Sequence, residues 1–573
     1  MSFILRIDTG QKNVLRETVP EKYMYTGGRG LTAAILHEEV DPTCDPLGSG
    51  NKIVFAPGLF GGTPAPCSGR LSVGSKSPLT GGIKEANSGG TAAYKMARLG
   101  IKALIIEGES LKDWHYIVIN KQGAELVPAG ELVNKCNYEV AEELLSKYGK
   151  NASIISIGPA GERKYPSATL AVTNREGWPS RHAARGGLGA VLGSKRIKAV
   201  VIDDGGCAIP ELGDDKKFKE ISKRFSKELI EGRKILTQYG TANLVEPMNA
   251  IGCLPVRNFS MGFYAKADSI SAQKLKSLIT QRGGKTGHAC QYGCVIRCSN
   301  IYPDEKGEYL TSSLEFETIG LLGSNLDIDS LDVIARIDRF CDDFGIDTIE
   351  MGAALGVAME KGILPFGSGD SLLKFLEKEV AGDMLLGRLV CHGASVAGRI
   401  LGVGRIPAVR GQGLPAYDPR GLKGNGVTYL TSPMGADHTA GNCLPGRTGF
   451  RPETSCAVEP KSTFGQVDIS YDLQIMTAVL DVLGFCLFVG CTPQNMDTFA
   501  ELLSCASGET WDREKVLDLG VKTIKTEIAF NKAAGHRTVE NMPEFLIKEG
   551  LPPHNHVFDI NDEDIKRIWD NLE

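Results

Sequence analysis

Three cysteines at intervals of four, in His-Ala-Cys290-Gln-Tyr-Gly-Cys294-Val-Ile-Arg-Cys298, put three soft thiolates within reach of one metal centre. Such a group suits zinc or an iron-sulfur cluster, and the lack of a paired C-x-x-C knuckle favours the cluster. The bland alternative is a helix with three buried cysteines on one face, which Gly293 and the tight spacing disfavour. A fourth ligand has to come from elsewhere in the chain. Fifteen cysteines, an odd number, with no visible secretion signal argue for metal binding over a disulfide framework. Cys44, Cys136, Cys207, Cys341, Cys391 and Cys505 stand alone and read as small buried hydrophobes.

Three glycine-rich segments offer a second kind of chemistry: Cys67-Ser-Gly-Arg70, Asn87-Ser88-Gly89-Gly90 and Arg181-His-Ala183-Ala184-Arg185-Gly186-Gly-Leu-Gly189. Glycine lets backbone amides approach an anion, and arginine supplies a fixed fork of donors. None has Walker or Rossmann spacing. Each alone reads as an ordinary turn; together they imply a large anionic ligand. Two further segments repeat a pattern, Asp342-Asp-Phe-Gly345-Ile346-Asp347 and Asp481-Val-Leu-Gly484-Phe485-Cys486. In both, glycine can end a helix while the flanking carboxylate meets donors of a heterocycle.

With these motifs the sequence resembles, over nearly its whole length, the tungsten-containing aldehyde:ferredoxin oxidoreductase family, which carries two Asp-x-x-Gly-Leu-(Asp or Cys) motifs, one for each pyranopterin. The resemblance implies a tungsten (or molybdenum) bis-pyranopterin, a magnesium ion bridging the pterin phosphates and a [4Fe-4S] cluster. It makes Cys486 the fourth ligand beside Cys290, Cys294 and Cys298, and sets Arg70 between cluster and pterin. Asn87, with Ser88 and Gly89, falls near the magnesium, and the loop from Ala183 through Ala184, Arg185 and Gly186 becomes the second phosphate contact. Ile346 and Phe485 stand where the family has leucine, and C-x3-C-x3-C replaces C-x2-C-x3-C, as in a divergent bacterial-type branch. No Glu-x-x-His pattern is present to bridge a dimer through a metal.

Glu317, in Leu314-Glu-Phe-Glu317-Thr, matches the family glutamate facing the metal, with Phe316 in place of tyrosine. His438, in Gly435-Ala-Asp-His438-Thr, matches the histidine beside it. Either residue alone is more often structural than catalytic. The implied reaction oxidises a small aldehyde with water and passes electrons to ferredoxin or a ferredoxin-like iron-sulfur subunit, in a homodimer or heteromeric complex. A low-potential reductase of the benzoyl-coenzyme A reductase type and a non-catalytic electron-transfer subunit are the alternatives.

These residues need elements to position them. Short strands are expected at 3–7, 53–56, 103–107, 116–120, 154–157 and 199–202, and helical periodicity takes over from Asp214. Further helices are expected at 271–279, 330–344, 348–361, 371–381, 471–483, 495–507 and 513–531, with an aperiodic functional segment between Gly402 and Pro452. The fold class is therefore α+β, a β-sheet-rich cofactor-binding domain (1–206) followed by two mainly helical domains (207–405 and 406–573). A net charge of −5 without basic clusters argues against nucleic acid. No apolar run reaches membrane-spanning length, and no Sec-type signal is visible, so a cytoplasmic location is expected.

Overall fold

The computed structural model describes residues 2–110, 112–312 and 314–572. Among them, the first two hundred residues build two six-stranded sheets. The first sheet holds β1 (Phe3–Asp8), β2 (Asn13–Thr18), β3 (Ile53–Pro57), β4 (Leu71–Lys76), β5 (Ile83–Ser88) and β6 (Ile101–Glu107). Its strand order is β2-β1-β6-β3-β4-β5. The second holds β7 (His115–Asn120), β8 (Gly123–Pro128), β9 (Ser153–Ser156), β10 (Leu170–Val172), β11 (Arg181–Ala183) and β12 (Ile197–Ile202). Its order, β8-β7-β12-β9-β10-β11, is the first repeated, down to the parallel pairing of β1 with β6 and of β7 with β12. The sheets meet where the equivalent edge strands β5 and β11 lie side by side.

All six expected strands are present, and each gains partners that the sequence pattern hid. β4 and β5 are buried almost throughout although they carry Lys76, Lys84 and Glu85, so polar and apolar residues do not alternate. β11 is a strand where a glycine-rich loop was expected, and the loop begins only at Ala184.

Helices dominate from Asp215, so the α+β organisation holds. The helix Leu331–Phe344 starts where the Ser330 side chain accepts from the Val333 amide, and it ends at Gly345. The helix Gln466–Leu483 is buried nearly all round, its polar Ser470, Asp472, Gln474 and Thr477 included, and packs against other helices on several sides. One continuous core joins side chains from Phe60 to Leu572. Within the aperiodic segment, Lys423–Thr431 is a helix after all; every residue of it is buried, which erases the amphipathic period that would reveal it. No helix among the described residues is long and apolar enough to cross a membrane.

Candidate active site

The two Asp-x-x-Gly segments are docked by equivalent contacts on the two sheets. Both glycines end their helices in the left-handed region, Gly345 at φ 83° and Gly484 at φ 84°. The Gly484 carbonyl accepts from the Arg70 amide just before β4 (3.1 Å), and the Gly345 carbonyl from the Thr169 amide just before β10 (2.9 Å). The Cys486 amide donates to the Cys67 carbonyl (2.9 Å) as the Asp347 amide does to Ser167 (3.0 Å). Gly58 follows β3 and Gly158 lies beyond β9; a Cβ there would fall 2.1 Å from Gly484 Cα and 2.2 Å from the Phe344 carbonyl oxygen. Any side chain at either position would push a helix end off its sheet.

Each motif aspartate is held differently. Asp481 Oδ2 lies 3.3 Å from Arg29, a buried guanidinium that also forms a two-pronged pair with Glu527 at 2.8 Å and 2.8 Å. Asp342 Oδ1 lies 3.2 Å from His182 Nε2. Burial pushes the His182 imidazole down to about 4, leaving the ring neutral. Burial, then the neighbouring Asp338 and Glu85 carboxylates, push Asp342 and Asp481 respectively well above the usual carboxylate range. Replacing Arg29 by Met is expected to cost ~3–5 kcal/mol, since Glu527 is left buried without its partner. A urea midpoint measured against wild type checks this.

The motifs open on one cavity of 380 Å³. Its wall includes Arg70, Asn87, Gly89, Ala184, Arg185, Asp342, Asp347 and Asp481, together with Glu317, His438, Cys290, Cys298 and Cys486. Ser88, Ala183, Gly186, Gly345, Ile346, Gly484 and Phe485 are off this wall and support it from behind. Phe485 packs into a cluster with Phe60, Phe225 and Phe499, and a Cβ on Gly186 would strike the Lys84 side chain at 2.4 Å. Arg185 is tied to Asp347 (3.3 Å) and to the carbonyls of Ala436 (2.5 Å) and Gly413 (2.6 Å). Arg70 donates to the Asn87 side chain and to its carbonyl (3.0 Å).

The three clustered cysteines sit on a loop between the strands Lys285–His288 and Ser299–Pro303, not on a helix. The Gly90 amide binds the Cys290 carbonyl (2.9 Å) and the Cys67 amide binds the Gly293 carbonyl (3.0 Å). Cys67 thus joins the loop to Cys486, which explains in backbone terms how a residue so distant in sequence reaches the others. The Cys290 and Cys294 thiols are hydrogen-bonded, and Cys298 and Cys486 lie within electrostatic reach of Cys290. Burial raises the Cys298 and Cys486 thiols; Cys290 is raised by its bond to Cys294 and by burial. No three His, Cys, Asp or Glu side chains among the described residues converge on a single ion. Cys294 faces away from the cavity, into an outer pocket.

At another part of the wall, Glu317 lies in the first turn of the helix Phe316–Leu322 and its Oε2 accepts from the Ala416 amide (2.7 Å). Its Oε1 has no hydrogen-bond partner and lies 3.5 Å from His438 Nε2. Burial raises the Glu317 carboxyl above its usual range, against the pull of His438. Next to His438, burial alone would raise Asp437, yet Lys84, 2.5 Å away, and Arg185 hold it below the usual range. Lys84, Asp437, Arg29, Glu527 and Glu315 were not singled out from the sequence. Glu315, in the same Glu-Phe-Glu segment, and Asp437, beside His438, carried a local signal; Glu315 is half-buried and accepts from Thr241, and both line the cavity.

Comparison with known proteins agrees with this geometry. A family model described as aldehyde ferredoxin oxidoreductase, N-terminal domain, matches residues 4–204, and one described as aldehyde ferredoxin oxidoreductase, domains 2 and 3, matches residues 217–569. The tungsten-containing aldehyde ferredoxin oxidoreductase of Pyrococcus abyssi is 33% identical over 583 aligned residues, covering 96% of this chain and 92% of the relative. The aliphatic sulfonate oxidoreductase WOR-like subunit of Pyrococcus furiosus is 28% identical, covering 78% and 76%. In fold, the chain is similar to the active-site complex BamBC of benzoyl coenzyme A reductase bound to 1,5-dienoyl-CoA, with a TM-score of 0.81, 20% identity and coverage of 100% and 93%. The repeated sheets, the paired helix ends and these matches lead to one assignment: the chain is an oxidoreductase belonging to the aldehyde ferredoxin oxidoreductase family.

Proposed function

We propose that the protein oxidises an aldehyde with water to a carboxylic acid and delivers the electrons to ferredoxin or an iron-sulfur partner subunit. The observation that carries this reading is the convergence on one cavity of both Asp-x-x-Gly helix ends, three of the four candidate cluster cysteines and the Glu317–His438 pair.

The wall fits a tungsten (or molybdenum) bis-pyranopterin. Asp342 Oδ2 is buried with no hydrogen-bond partner, as a carboxyl awaiting a heterocycle donor should be. A carboxyl kept neutral offers both a donor and an acceptor to a pterin edge. Gly89 keeps a passage open, since a Cβ there would stand 3.2 Å from Arg70 and 3.4 Å from Cys290 Sγ. Asn87 and the 183–186 loop occupy equivalent ends of β5 and β11, which suits phosphates joined by magnesium. Cys290, Cys294, Cys298 and Cys486 would hold the [4Fe-4S] cluster, each sulfur on its own iron, so convergence on a single ion is not required. The domain roles follow: 1–206 for the phosphates, 207–405 for the cysteine loop and first motif, 406–573 for the second motif and Cys486.

When bound, the metal centre supplies two-electron redox chemistry and the cluster single-electron transfer. The chain's own residues handle water and protons. Glu317, through its free Oε1, takes the proton of the water that attacks the carbonyl carbon. His438 donates from Nε2 to the oxygen on which negative charge develops. Phe316, packed on Tyr417 at 4.8 Å, keeps the neighbouring wall apolar.

Elemental analysis of anaerobically purified protein, combined with an aldehyde panel and a viologen acceptor, tests the reading. Tungsten or molybdenum together with iron, and viologen reduction by at least one aldehyde, are expected. Intact iron and sulfide with neither heavier metal would reduce the protein to an electron carrier, and turnover of an aromatic thioester alone would assign it to reduction.

A further inference from the structure

We infer that Arg447 sets the specificity of the site, and that the aldehyde oxidised there carries a carboxylate at the end remote from its carbonyl. The inference deepens the proposed function by naming a substrate class, and it rests on that reading.

Among the described residues, four arginines stand on the wall of the cavity. Three are held by the protein itself: Arg70 by Asn87, Arg181 by Ser299 (2.6 Å), and Arg185 by Asp347 and two carbonyls. The fourth, Arg447, is half-buried and makes no side-chain hydrogen bond or ion pair with any described residue. Arg451, four residues on, shows the contrast, since it reaches Glu453 (3.2 Å), Asp468 (3.4 Å) and Asp472 (2.6 Å). A second guanidinium near Arg447, that of Arg233, gives its donors to the carbonyls of Phe488 and Val489 (2.9 Å each) and brings no negative charge with it. Burial, and then the positive charge of Arg447, hold Arg233 below its usual range. Two cations drawn together without a carboxylate of the chain make a seat for an anion from outside.

The local backbone fixes this seat. Leu444-Pro445-Gly446-Arg447 closes by the Arg447 amide donating to the Leu444 carbonyl (3.2 Å), with proline second and Gly446 third at φ 81°, the pattern of a type II turn. Just before the turn the Cys443 amide donates to the Asn425 side chain (2.6 Å), and just after it the Gly449 amide donates to the Thr454 carbonyl (2.8 Å). Arg447 lies within electrostatic reach of Tyr417, whose ring stands 5.7 Å from that of His438. Tyr417 thus links the arginine to the Glu317–His438 pair along one wall. Leu444, Leu473, Leu487 and Phe488 line the same cavity, a surface that suits methylene groups and offers nothing to the hydroxyls of a sugar. A guanidinium fork matches a planar carboxylate in two parallel hydrogen bonds, so an unbranched oxo acid fits with its aldehyde at Glu317 and its carboxylate at Arg447.

Oxidation of such an oxo acid with one water gives a dicarboxylate, three protons and two electrons, the electrons passing to the iron-sulfur acceptor or, in the assay, to benzyl viologen. The test compares, on the holoenzyme, the oxo acids from 4-oxobutanoate to 6-oxohexanoate with the unbranched neutral aldehydes of the same length. Wild type is expected to prefer at least one oxo acid. In Arg447→Gln the ratio of kcat/KM for that oxo acid to kcat/KM for its neutral counterpart falls at least tenfold, the size of one lost charged hydrogen bond, and the loss appears in KM. Arg447→Lys recovers part of it. Calorimetric titration with the matching dicarboxylate reads the same seat without turnover, and its Kd rises at least tenfold in the Gln variant. A holoenzyme that oxidises neutral aldehydes, but shows the same ratio and the same dicarboxylate affinity in wild type and Arg447→Gln, overturns the inference and leaves the proposed function standing. A cofactor-loaded protein that oxidises no aldehyde overturns both.

Discussion

Replacing Glu317 by Gln is expected to lower kcat/KM for aldehydes by ~10²–10⁴-fold, the range that a positioned general base contributes, with metal content unchanged. Gln keeps the size of the side chain and can still accept the Ala416 amide, but it cannot take a proton at the atom facing His438. The pH profile separates a base from a merely structural carboxylate. In wild type the rate rises with pH as Glu317 ionises, and because burial raises that carboxyl, the acid limb lies above the ordinary carboxylate range. The Gln variant loses the limb. Stability moves the other way: a carboxyl whose folded-state pKa is raised contributes fully below its unfolded value and loses that contribution as pH rises through the folded one. The variant is therefore at least as stable as wild type at neutral pH. Wild-type turnover, or an unshifted acid limb, in the Gln variant would remove Glu317 from the mechanism.

Replacing Cys486 by Ser is expected to strip iron and sulfide from the protein and to abolish its cluster EPR signal, while circular dichroism stays as in wild type. A hydroxyl matches the thiol in shape but is a hard, protonated oxygen where iron needs a soft thiolate. The backbone already places the position, through the Cys486 amide on Cys67 and the Cys67 amide on Gly293, so the fold does not depend on the sulfur. Cys341→Ser provides the contrast, because Cys341 is buried in the helix Leu331–Phe344, away from the cysteine loop, and should keep full iron. Full iron and an unaltered EPR spectrum in Cys486→Ser would end the four-cysteine assignment.

Much of this site was legible because its chemistry lies in short segments. The Cys290–Cys298 spacing, both Asp-x-x-Gly ends and the three glycine-rich segments each sit within a few residues. What escaped detection depends on distance or burial. Arg29 and Glu527 lie at opposite ends of the chain, and nothing local marks them as a pair. Lys84 reads as a solvated lysine until β5 is seen to be enclosed and Asp437 brought against it. The helix Lys423–Thr431 lost its period because no face meets water. The duplication of the sheets is a matter of strand order, and topology leaves no trace in residue spacing once the side chains have diverged.

With two halves clasping their helix ends by the same amide and carbonyl contacts, the main chain alone cannot tell left from right. The distinction lies in the side chains, not least at the last position of each motif: the first half closes on the carboxylate of Asp347, the second on the sulfur of Cys486. Under the proposed function a charge released midway would meet an insulator on one side and a conductor on the other, so that the direction of its exit would be set by side chains held in matching backbone seats.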